Sequence, residues 1–428
     1  MKDRKKPVTW RRLDNTAKLF PVIANENISH VFRISSTLKH PIDPKLLQQA
    51  LEDILPWFDG FRVRLRRGFF WFYFENNKKK PLVEKEATYP CKYIDPHMNQ
   101  QFLFRVSYYD CRINLEVFHA LSDGMGAVTF LKELTYRYIE LVNDQGKGNL
   151  GKSHPSEDCI LDMEDSYVKY YKKRRKKNYS TKKAYQVKGK KLYLDAISVI
   201  HGYVELDGLK KLCKKHKVSI TKYLTAVMIW SVYEEYLNKQ PNKDPICINL
   251  PVNLRTFFDS STTSNFFAVT IIEFLAQSEE HTFEEVLHEV SRQMDEKITR
   301  EKIEEIIAYN VSAEKNPLIR ILPLFIKNIG LNYIFRKSSK TITITFSNLG
   351  KVEVLPRYRD EIEKFHAMMG VFKKQEMKCT MMSYKDQAVI TFTSVFENAY
   401  LQKAFFRNLA KQGLKISIES NGVVNEKM

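Results

Sequence analysis

Cysteine is scarce and scattered in this sequence. The six cysteines among 428 residues form no CxxC pair, and their spacing matches neither a zinc site nor a disulfide framework. Their arrangement favours a reducing compartment, so we expect a cytoplasmic protein. The ten histidines likewise show no ligand spacing to one another, and the sequence therefore predicts no metal site.

Long hydrophobic runs are also missing. The most apolar late stretch, residues 318–335, is interrupted by Arg320, Lys327 and Asn328. It therefore lacks the uncharged span of about 20 residues that a bilayer requires. The basic N-terminal residues 1–7 are not followed by an apolar segment, so we expect no signal peptide. Together these features predict a soluble protein.

Length and composition favour large packed cores. Hydrophobic residues make up 43% of the chain and aromatics 12%, which excludes a largely disordered protein. A chain of 428 residues is long for one core and suits two domains. We predict an N-terminal subdomain over residues 1–150, a basic crossover linker over 151–190, and a C-terminal subdomain over 191–428.

The formal net charge of +19 is concentrated in the segment Lys169–Lys191. Three interpretations remain open for this segment. It is a solvated linker that its own charge keeps extended, or it attracts an anionic partner such as the phosphates of coenzyme A or an acidic membrane surface. Its interleaved tyrosines would also suit nucleic acid, but no nucleic-acid motif accompanies them, so that interpretation is the least favoured.

Hydrophobic periodicity predicts mixed strands and helices in both halves. In the first half we expect strands at 30–35, 61–65, 69–74, 102–109 and 113–118 and helices at 43–55 and 127–142, with the aromatic run Phe69–Phe74 packed in the core or sheet. In the second half we expect strands at 202–206, 245–250, 267–274, 341–346, 379–384 and 388–396. The helices expected there are 209–213, one from an N-cap at Thr221 to about 236, a single amphipathic helix at 282–309, and 398–412.

One short stretch carries most of the functional signal. The apolar, β-favouring run 113–118 predicts a strand with His119 at its end, and Asp123-Gly124 predicts a turn that leads into a helix. An imidazole at a strand end can act as a general base, because its unperturbed pKa lies near neutrality. The alternative is an ordinary histidine at the surface or in the core beside a turn, because short motifs have weak specificity.

Three further stretches of the sequence add to the signal from the His119-x-x-x-Asp123-Gly124 spacing. They are Arg12–Pro21 (RLDNTAKLFP), Pro251–Arg255 (PVNLR) followed by Asn265–Phe267 (NFF), and Thr345–Gly350 (TFSNLG). In this order they resemble the acyl-CoA-dependent acyltransferases related to chloramphenicol acetyltransferase, whose signature is HxxxDG. This superfamily includes alcohol O-acetyltransferases and the condensation domains of peptide synthetases. The resemblance spans nearly the whole chain and is nearest to the bacterial alcohol acetyltransferase branch.

The resemblance implies both a fold and an activity. The fold is α/β (α+β), with two similar chloramphenicol acetyltransferase-like subdomains of mixed sheet and helices and an active-site tunnel between them. The implied activity is transfer of an acetyl or other short acyl group from acyl-CoA to an alcohol, with acyl-CoA as co-substrate and no tightly bound cofactor. A lipid or polyketide hydroxyl would fit equally well as the acceptor.

Acyl transfer requires a base for the attacking hydroxyl and a donor for the oxyanion. His119 is the expected base, and it then protonates the departing thiolate. The resemblance implies that Asp123 supports the loop by pairing with Arg255. Gly124 is expected where the backbone approaches a neighbour closely or takes a positive φ. Ser347 or Asn348 is the candidate oxyanion donor, although Ser347 could equally be a strand-end hydroxyl that caps a turn.

Two departures from the pattern bear on the activity. Phe118 stands where many relatives carry a second histidine, which makes condensation chemistry less favoured, and the plant enzymes' DFGWG segment is absent. Two alternatives of other classes remain. One is a carrier-protein-dependent former of amides or esters, with an acyl carrier protein as partner. The other is a catalytically silent protein on the same fold that uses the Lys169–Lys191 segment to bind an anionic membrane surface or nucleic acid.

Overall fold

The computed structural model describes residues 10–144, 154–159, 161–173, 182–193 and 196–423. The strands are β1 (Trp10–Arg12), β2 (Val31–Leu38), β3 (Val63–Arg67), β4 (Phe72–Asn76), β5 (Val83–Lys85), β6 (Phe104–Tyr109), β7 (Arg112–Phe118), β8 (Ser198–Glu205), β9 (Ile246–Asn253), β10 (Phe267–Phe274), β11 (Ile344–Lys351), β12 (Ile362–Met369), β13 (Met377–Tyr384), β14 (Gln387–Ser394) and β15 (Ile416–Ser420). The helices are α1 (Phe20–Ile23), α2 (Pro44–Ile54), α3 (Gly124–Asn143), α4 (Ser166–Lys169), α5 (Leu206–Lys215), α6 (Ile220–Glu235), α7 (Phe283–Lys297), α8 (Arg300–Lys315), α9 (Pro317–Ile321), α10 (Leu324–Ser338) and α11 (Tyr400–Lys411).

These strands form two large mixed sheets and one small sheet. The first large sheet has five strands in the order β12-β2-β7-β6-β5, and the second has seven in the order β10-β9-β11-β13-β14-β8-β15. A three-stranded sheet, β1-β4-β3, stands apart. Each large sheet packs on its own helices: α2 and α3 cover the first core, and α6, α7 and α11 cover the second. The α/β (α+β) architecture predicted from the sequence is therefore present.

One strand from the second half of the chain, β12, belongs to the five-stranded sheet of the first half. β12 pairs antiparallel with β2, with His366 opposite Ser35, and Phe365 lies in the first core. The neighbouring strands β13 and β14 belong to the second sheet. The predicted subdomains 1–150, 151–190 and 191–428 did not allow for a strand of the second half in the first sheet. These boundaries stay a prediction.

Several local predictions were wrong in a way that the structure explains. The region 282–309 is two helices, because the side chain of Thr299 caps a new helix by accepting a hydrogen bond from the backbone N–H of Lys302. Helix α6 is capped by Ser219 rather than Thr221. Within the aromatic run 69–74, Phe69 and Phe70 are exposed rather than packed.

The basic segment Lys169–Lys191 is described only in part, because residues 174–181, including its cluster Arg174–Lys177, lie outside the described residues. Several lysines of the described part make ion pairs with acidic residues of the same chain. Lys172 contacts Glu304 at 3.1 Å, and Lys183 contacts Asp244 at 3.0 Å. These pairs tie both flanks of the segment to the body of the protein.

Candidate active site

His119 follows β7 and lies between the two large sheets. Its backbone N–H donates to the carbonyl of His30 at 2.9 Å, which continues the pairing of β7 with β2 past the end of the strand. The imidazole stacks on Phe20, with ring centroids 4.7 Å apart and planes 17° from parallel. Phe32 of the first sheet and Phe267 of the second complete an aromatic surround, so the ring orientation is fixed by packing.

Asn265 fixes the protonation of the ring. His119 Nδ1 lies 3.1 Å from Asn265 Oδ1, while Asn265 Nδ2 donates to Asp14 Oδ2 at 3.1 Å. Because the amide nitrogen is directed at the carboxyl, the amide oxygen faces the ring, and Nδ1 must be the donor. The tautomer assigned in this way leaves the lone pair on Nε2, the nitrogen that a general base would use.

Burial sets the charge states of both ends of this chain of hydrogen bonds. Desolvation lowers the pKa of His119 below its ordinary 6.5, so the imidazole is neutral at pH 7. Desolvation also raises the pKa of Asp14 to about 7, against the opposing hydrogen bonds from Ala17 and Asn265. Asp14 therefore titrates near neutrality, two hydrogen bonds away from the imidazole.

Asp123 is held by Arg255 in a two-pronged ion pair. Arg255 Nη1 lies 2.8 Å from Asp123 Oδ2, and Nη2 lies 3.2 Å from Oδ1. The same carboxylate accepts the backbone N–H of Gly126, which caps α3, and that of Phe266 at 2.9 Å. The carboxylate thus contacts Arg255 and two backbone N–H groups rather than the imidazole.

Two glycines let other segments approach this loop. A Cβ on Gly124 would stand 2.5 Å from the side chain of Leu349, and Gly124 has no positive φ. Close approach is therefore the reason for glycine at this position. A Cβ on Gly126 would stand 2.2 Å from the backbone oxygen of Thr263. The loop is thus in contact with β11 on one side and with the segment before β10 on the other.

Ser347 and Asn348 lie on β11, next to the Leu349 that touches Gly124. Ser347 is half-buried and stands opposite Thr380 of β13. The Asn348 amide donates to Thr221 Oγ1 at 3.0 Å and accepts the N–H of Gly350 at 2.8 Å. The structure therefore places β11 against the loop that follows His119. The Asn348 side chain already has hydrogen-bond partners in Thr221 and Gly350.

The buried cation Lys378 was not predicted from the sequence. It lies on β13 with Nζ 4.4 Å from the centre of the Phe372 ring, and Phe372 in turn packs on His30. Burial lowers the pKa of Lys378 to about 7. Its positive charge also helps to lower the pKa values of His30 and His119, so it belongs to the electrostatic environment of the candidate base.

Sequence reasoning also missed the roles of Asn265 and Asp14. Both residues lie inside the stretches that carry the family resemblance, Asn265–Phe267 and Arg12–Pro21. Their position in those stretches was the one feature of the sequence that could have indicated a place near the site. Their hydrogen bonds to each other and to His119 span 251 and 146 residues of sequence, which no local pattern reports.

No family model matches the sequence, and no curated protein matches it. Solved structures do match over almost the entire chain. TRI101 from Fusarium sporotrichioides, complexed with coenzyme A and T-2, is similar with a TM-score of 0.63 and 11% identity, over 96% of this chain and 100% of that one. The polyketide synthase associated protein 5 of Mycobacterium tuberculosis has a TM-score of 0.60 and 14% identity, over 93% and 97%. The starter condensation domain of rhizomide synthetase has a TM-score of 0.54 and 11% identity, over 95% and 97%.

The chain has the chloramphenicol acetyltransferase-like fold. This finding confirms the fold class that the resemblance implied, which is also the fold of a trichothecene 15-O-acetyltransferase and of a condensation domain. None of the helices in the described part of the chain has the length and hydropathy needed to span a bilayer. Within the described ranges, no group of three or more His, Cys, Asp or Glu side chains is placed to hold a metal ion.

Proposed function

We propose that this protein is an acyl-CoA-dependent O-acyltransferase that moves an acyl group to an alcohol. The observation that carries the proposal is the hydrogen bond from His119 Nδ1 to Asn265. It presents a neutral imidazole with its lone pair on Nε2, at the junction of the two sheets. The fold, shared with a structure that holds coenzyme A, supports the donor class.

The proposed step is a direct attack on the thioester. His119 Nε2 takes the proton of the acceptor hydroxyl while the alcohol oxygen bonds to the acyl carbon. The tetrahedral intermediate then collapses as the carbon–sulfur bond breaks, and the imidazolium returns the proton to the leaving thiolate. The products are an ester and free coenzyme A. No covalent enzyme intermediate is required, because a thioester is already activated.

The remaining residues have supporting roles in this proposal. Asp123 and Arg255 hold the loop, Gly124 admits β11, and Ser347 is the proposed donor to the oxyanion, with Asn348 as the alternative. The acceptor is an alcohol, including a lipid or polyketide hydroxyl, and a short acyl group is proposed for the donor. Substrates would reach His119 through a tunnel between the subdomains.

Release of free thiol tests the proposal directly. Acetyl-CoA and longer acyl-CoAs would be offered with a panel of alcohols and amines to the wild-type protein, His119→Ala and the matched control His97→Ala. We expect alcohol-dependent thiol release that falls about 10²-fold or more in folded His119→Ala and persists in His97→Ala, whose histidine is exposed. Equal turnover in all three proteins would refute His119 as the base.

A second candidate is a condensation-type activity that uses an acyl carrier protein. It is favoured by the match to a condensation domain over 95% of the chain. Turnover that requires an amine, or a carrier-protein thioester in place of acyl-CoA, would select this candidate. Failure of every donor would instead point to a catalytically silent binding protein, for which deletion of residues 169–191 should abolish binding to an anionic partner.

A further inference from the structure

Helix α10 has two polar side chains directed inward and several large apolar side chains exposed on its outer side. Lys327 is buried beneath the helix, where Nζ donates to the carbonyls of Phe70 and Arg320, both at 3.1 Å. Asn332 likewise points inward and donates to the carbonyl of Val22 at 3.3 Å. This is the reverse of the pattern in a surface helix of a water-soluble protein.

Exposed apolar side chains also lie on α9, the helix that precedes α10 in the chain and whose Arg320 carbonyl binds Lys327. Ile329 is 70% exposed and Leu318 is 72% exposed. The surface, which we name the α9–α10 face, consists of Leu318, Ile321, Phe325, Ile329, Tyr333 and Ile334. Phe325, Ile329 and Tyr333 follow a four-residue spacing and therefore project from the same side of the helix. Exposed apolar residues clustered in this way mark a binding surface.

The loop between β3 and β4 extends this face. Phe69 is 71% exposed and Phe70 lies beside it, with ring centroids 4.8 Å apart. The backbone N–H of Leu324 donates to the carbonyl of Phe69 at 2.9 Å. Because Lys327 also binds the carbonyl of Phe70, the loop and the helix are fixed to each other and present their apolar side chains together.

The two helices of the face and the residues that follow them carry charge of one sign. Residues 315–352 contain seven lysines and arginines and no aspartate or glutamate. Apart from the inward Lys327, the residues Arg320, Arg336, Lys337 and Lys340 are exposed on or beside the two helices. A second copy of the chain would bring the same positive charges against this face, whereas an anionic surface would neutralise them.

We propose that the α9–α10 face is a peripheral membrane-binding surface for bilayers rich in anionic lipid. Its apolar side chains enter the boundary between headgroups and acyl chains, and the surrounding lysines and arginines contact the lipid phosphates. The helices lie in the plane of the interface and do not cross the bilayer. This surface is distinct from the Lys169–Lys191 segment.

The face lies one layer away from the candidate active site. α10 packs on α1, whose Phe20 stacks on His119, and Phe335 of α10 contacts His30 at 5.5 Å between ring centroids. A bilayer bound to the face would therefore lie over α10, which packs on the helix whose Phe20 contacts His119.

Co-sedimentation with vesicles tests the proposal on the full-length protein. One set of vesicles contains equal parts of phosphatidylglycerol and phosphatidylcholine, and the other contains phosphatidylcholine alone. We expect partition into the anionic vesicles to exceed partition into the neutral ones by roughly tenfold or more. The triple variant Phe325→Ser, Ile329→Ser, Tyr333→Ser should reduce binding to anionic vesicles by about tenfold or more.

Matched variants control for general changes in hydrophobicity and charge. Leu82→Ser, Met98→Ser, Ile418→Ser removes three exposed apolar residues elsewhere and should leave binding within about twofold of wild type. Arg336→Gln, Lys337→Gln should weaken anionic binding by about tenfold. Lys210→Gln, Lys214→Gln on α5 should leave it near the wild-type value. Circular dichroism would verify that each variant is folded.

Two results would overturn the proposal. One is equal vesicle binding by the two triple variants. The other is a wild-type protein that ignores vesicles and elutes as a dimer which the α10 triple variant makes monomeric, because the face would then bind a second copy. The assay contains no acyl donor, so its outcome is independent of the acyltransferase proposal.

Discussion

Arg255 crosses from the segment after β9 to the carboxylate of Asp123 in the loop after β7, so one ion pair joins the two sheets beside His119. The guanidinium also donates to the carbonyls of Thr262 and Ser264. Both partners are largely buried, with 13% and 7% of their side chains exposed. The loop geometry therefore depends on a buried ion pair, whose partners could not be solvated by water if the pair were broken.

Removal of the cation should destabilise the whole fold. Arg255→Ala leaves the Asp123 carboxylate buried without its partner, and we expect the free energy of unfolding to fall by about 3–5 kcal/mol. Urea denaturation followed by circular dichroism measures this change. The matched control is Arg357→Ala, which removes an exposed pair with Glu157 and should leave the free energy near wild type. Similar small effects in both variants would show that the pair is unimportant for stability.

The amide of Asn265 should set the tautomer of His119. Asn265→Leu removes the acceptor at Nδ1, so the imidazole loses its fixed tautomer and part of its orientation. We expect kcat to fall by about 10- to 100-fold, and nitrogen NMR of the imidazole should show a mixture of tautomers in place of the Nδ1–H form. Asn408→Ala on α11, whose amide binds Glu234, is the control. An unchanged NMR signature in Asn265→Leu would rule out the positioning role.

Local sequence patterns predicted the elements around the site but not its hydrogen bonds. The strand before His119 and the helix after Asp123 were predicted correctly, because alternation and an Asp-Gly turn report local conformation. Asn265 reaches His119 across 146 residues of sequence, and Asp14 reaches Asn265 across 251, so only tertiary packing brings the three residues together. Helix α10 was missed because its inward Lys327 and Asn332 reverse the periodicity on which helix prediction depends.

The stability of the protein should respond to the titration of Asp14. Burial raises the pKa of this carboxyl to about 7 from 3.8, so the folded protein binds more protons than the unfolded chain between these two pH values. Stability conferred by the neutral carboxyl is therefore present below about pH 4 and is lost as the pH rises through about 7.

Asp14→Asn removes this titration and keeps one of the two acceptor oxygens that serve Asn265 and the backbone N–H of Ala17. The free energy of unfolding of Asp14→Asn minus that of wild type should rise between pH 4 and 7, by at most about 1.4 kcal/mol per pH unit. Denaturation series at each pH measure the difference, and Asp207→Asn on the exposed start of α5 reports the effect of losing a surface charge. A difference that does not change with pH would contradict the raised pKa of Asp14.

The rate of acyl transfer should fall on the acid side only at pH values below the ordinary pKa of histidine. Desolvation lowers the pKa of His119, and the proposed base must be neutral to accept a proton. The kcat/KM for acyl transfer should therefore stay high as the pH falls to 6.5 and decline only below it. Lys378→Met removes a cation that lowers the same pKa, so its acid limb should shift to higher pH. A limb that stays in place, in a folded variant, would exclude the electrostatic role of Lys378.

Two glycine-to-alanine changes should have opposite signs. In Gly126→Ala the new Cβ would meet the Thr263 backbone oxygen at 2.2 Å, and backbone cannot rotate away as a side chain could. We expect a loss of about 1–3 kcal/mol in the free energy of unfolding. Gly330→Ala places its Cβ in open space within α10, where alanine favours the helix by about 0.5–1 kcal/mol. Urea denaturation of both variants measures the signs, and a destabilised Gly330→Ala would mean that α10 is not the exposed helix described above.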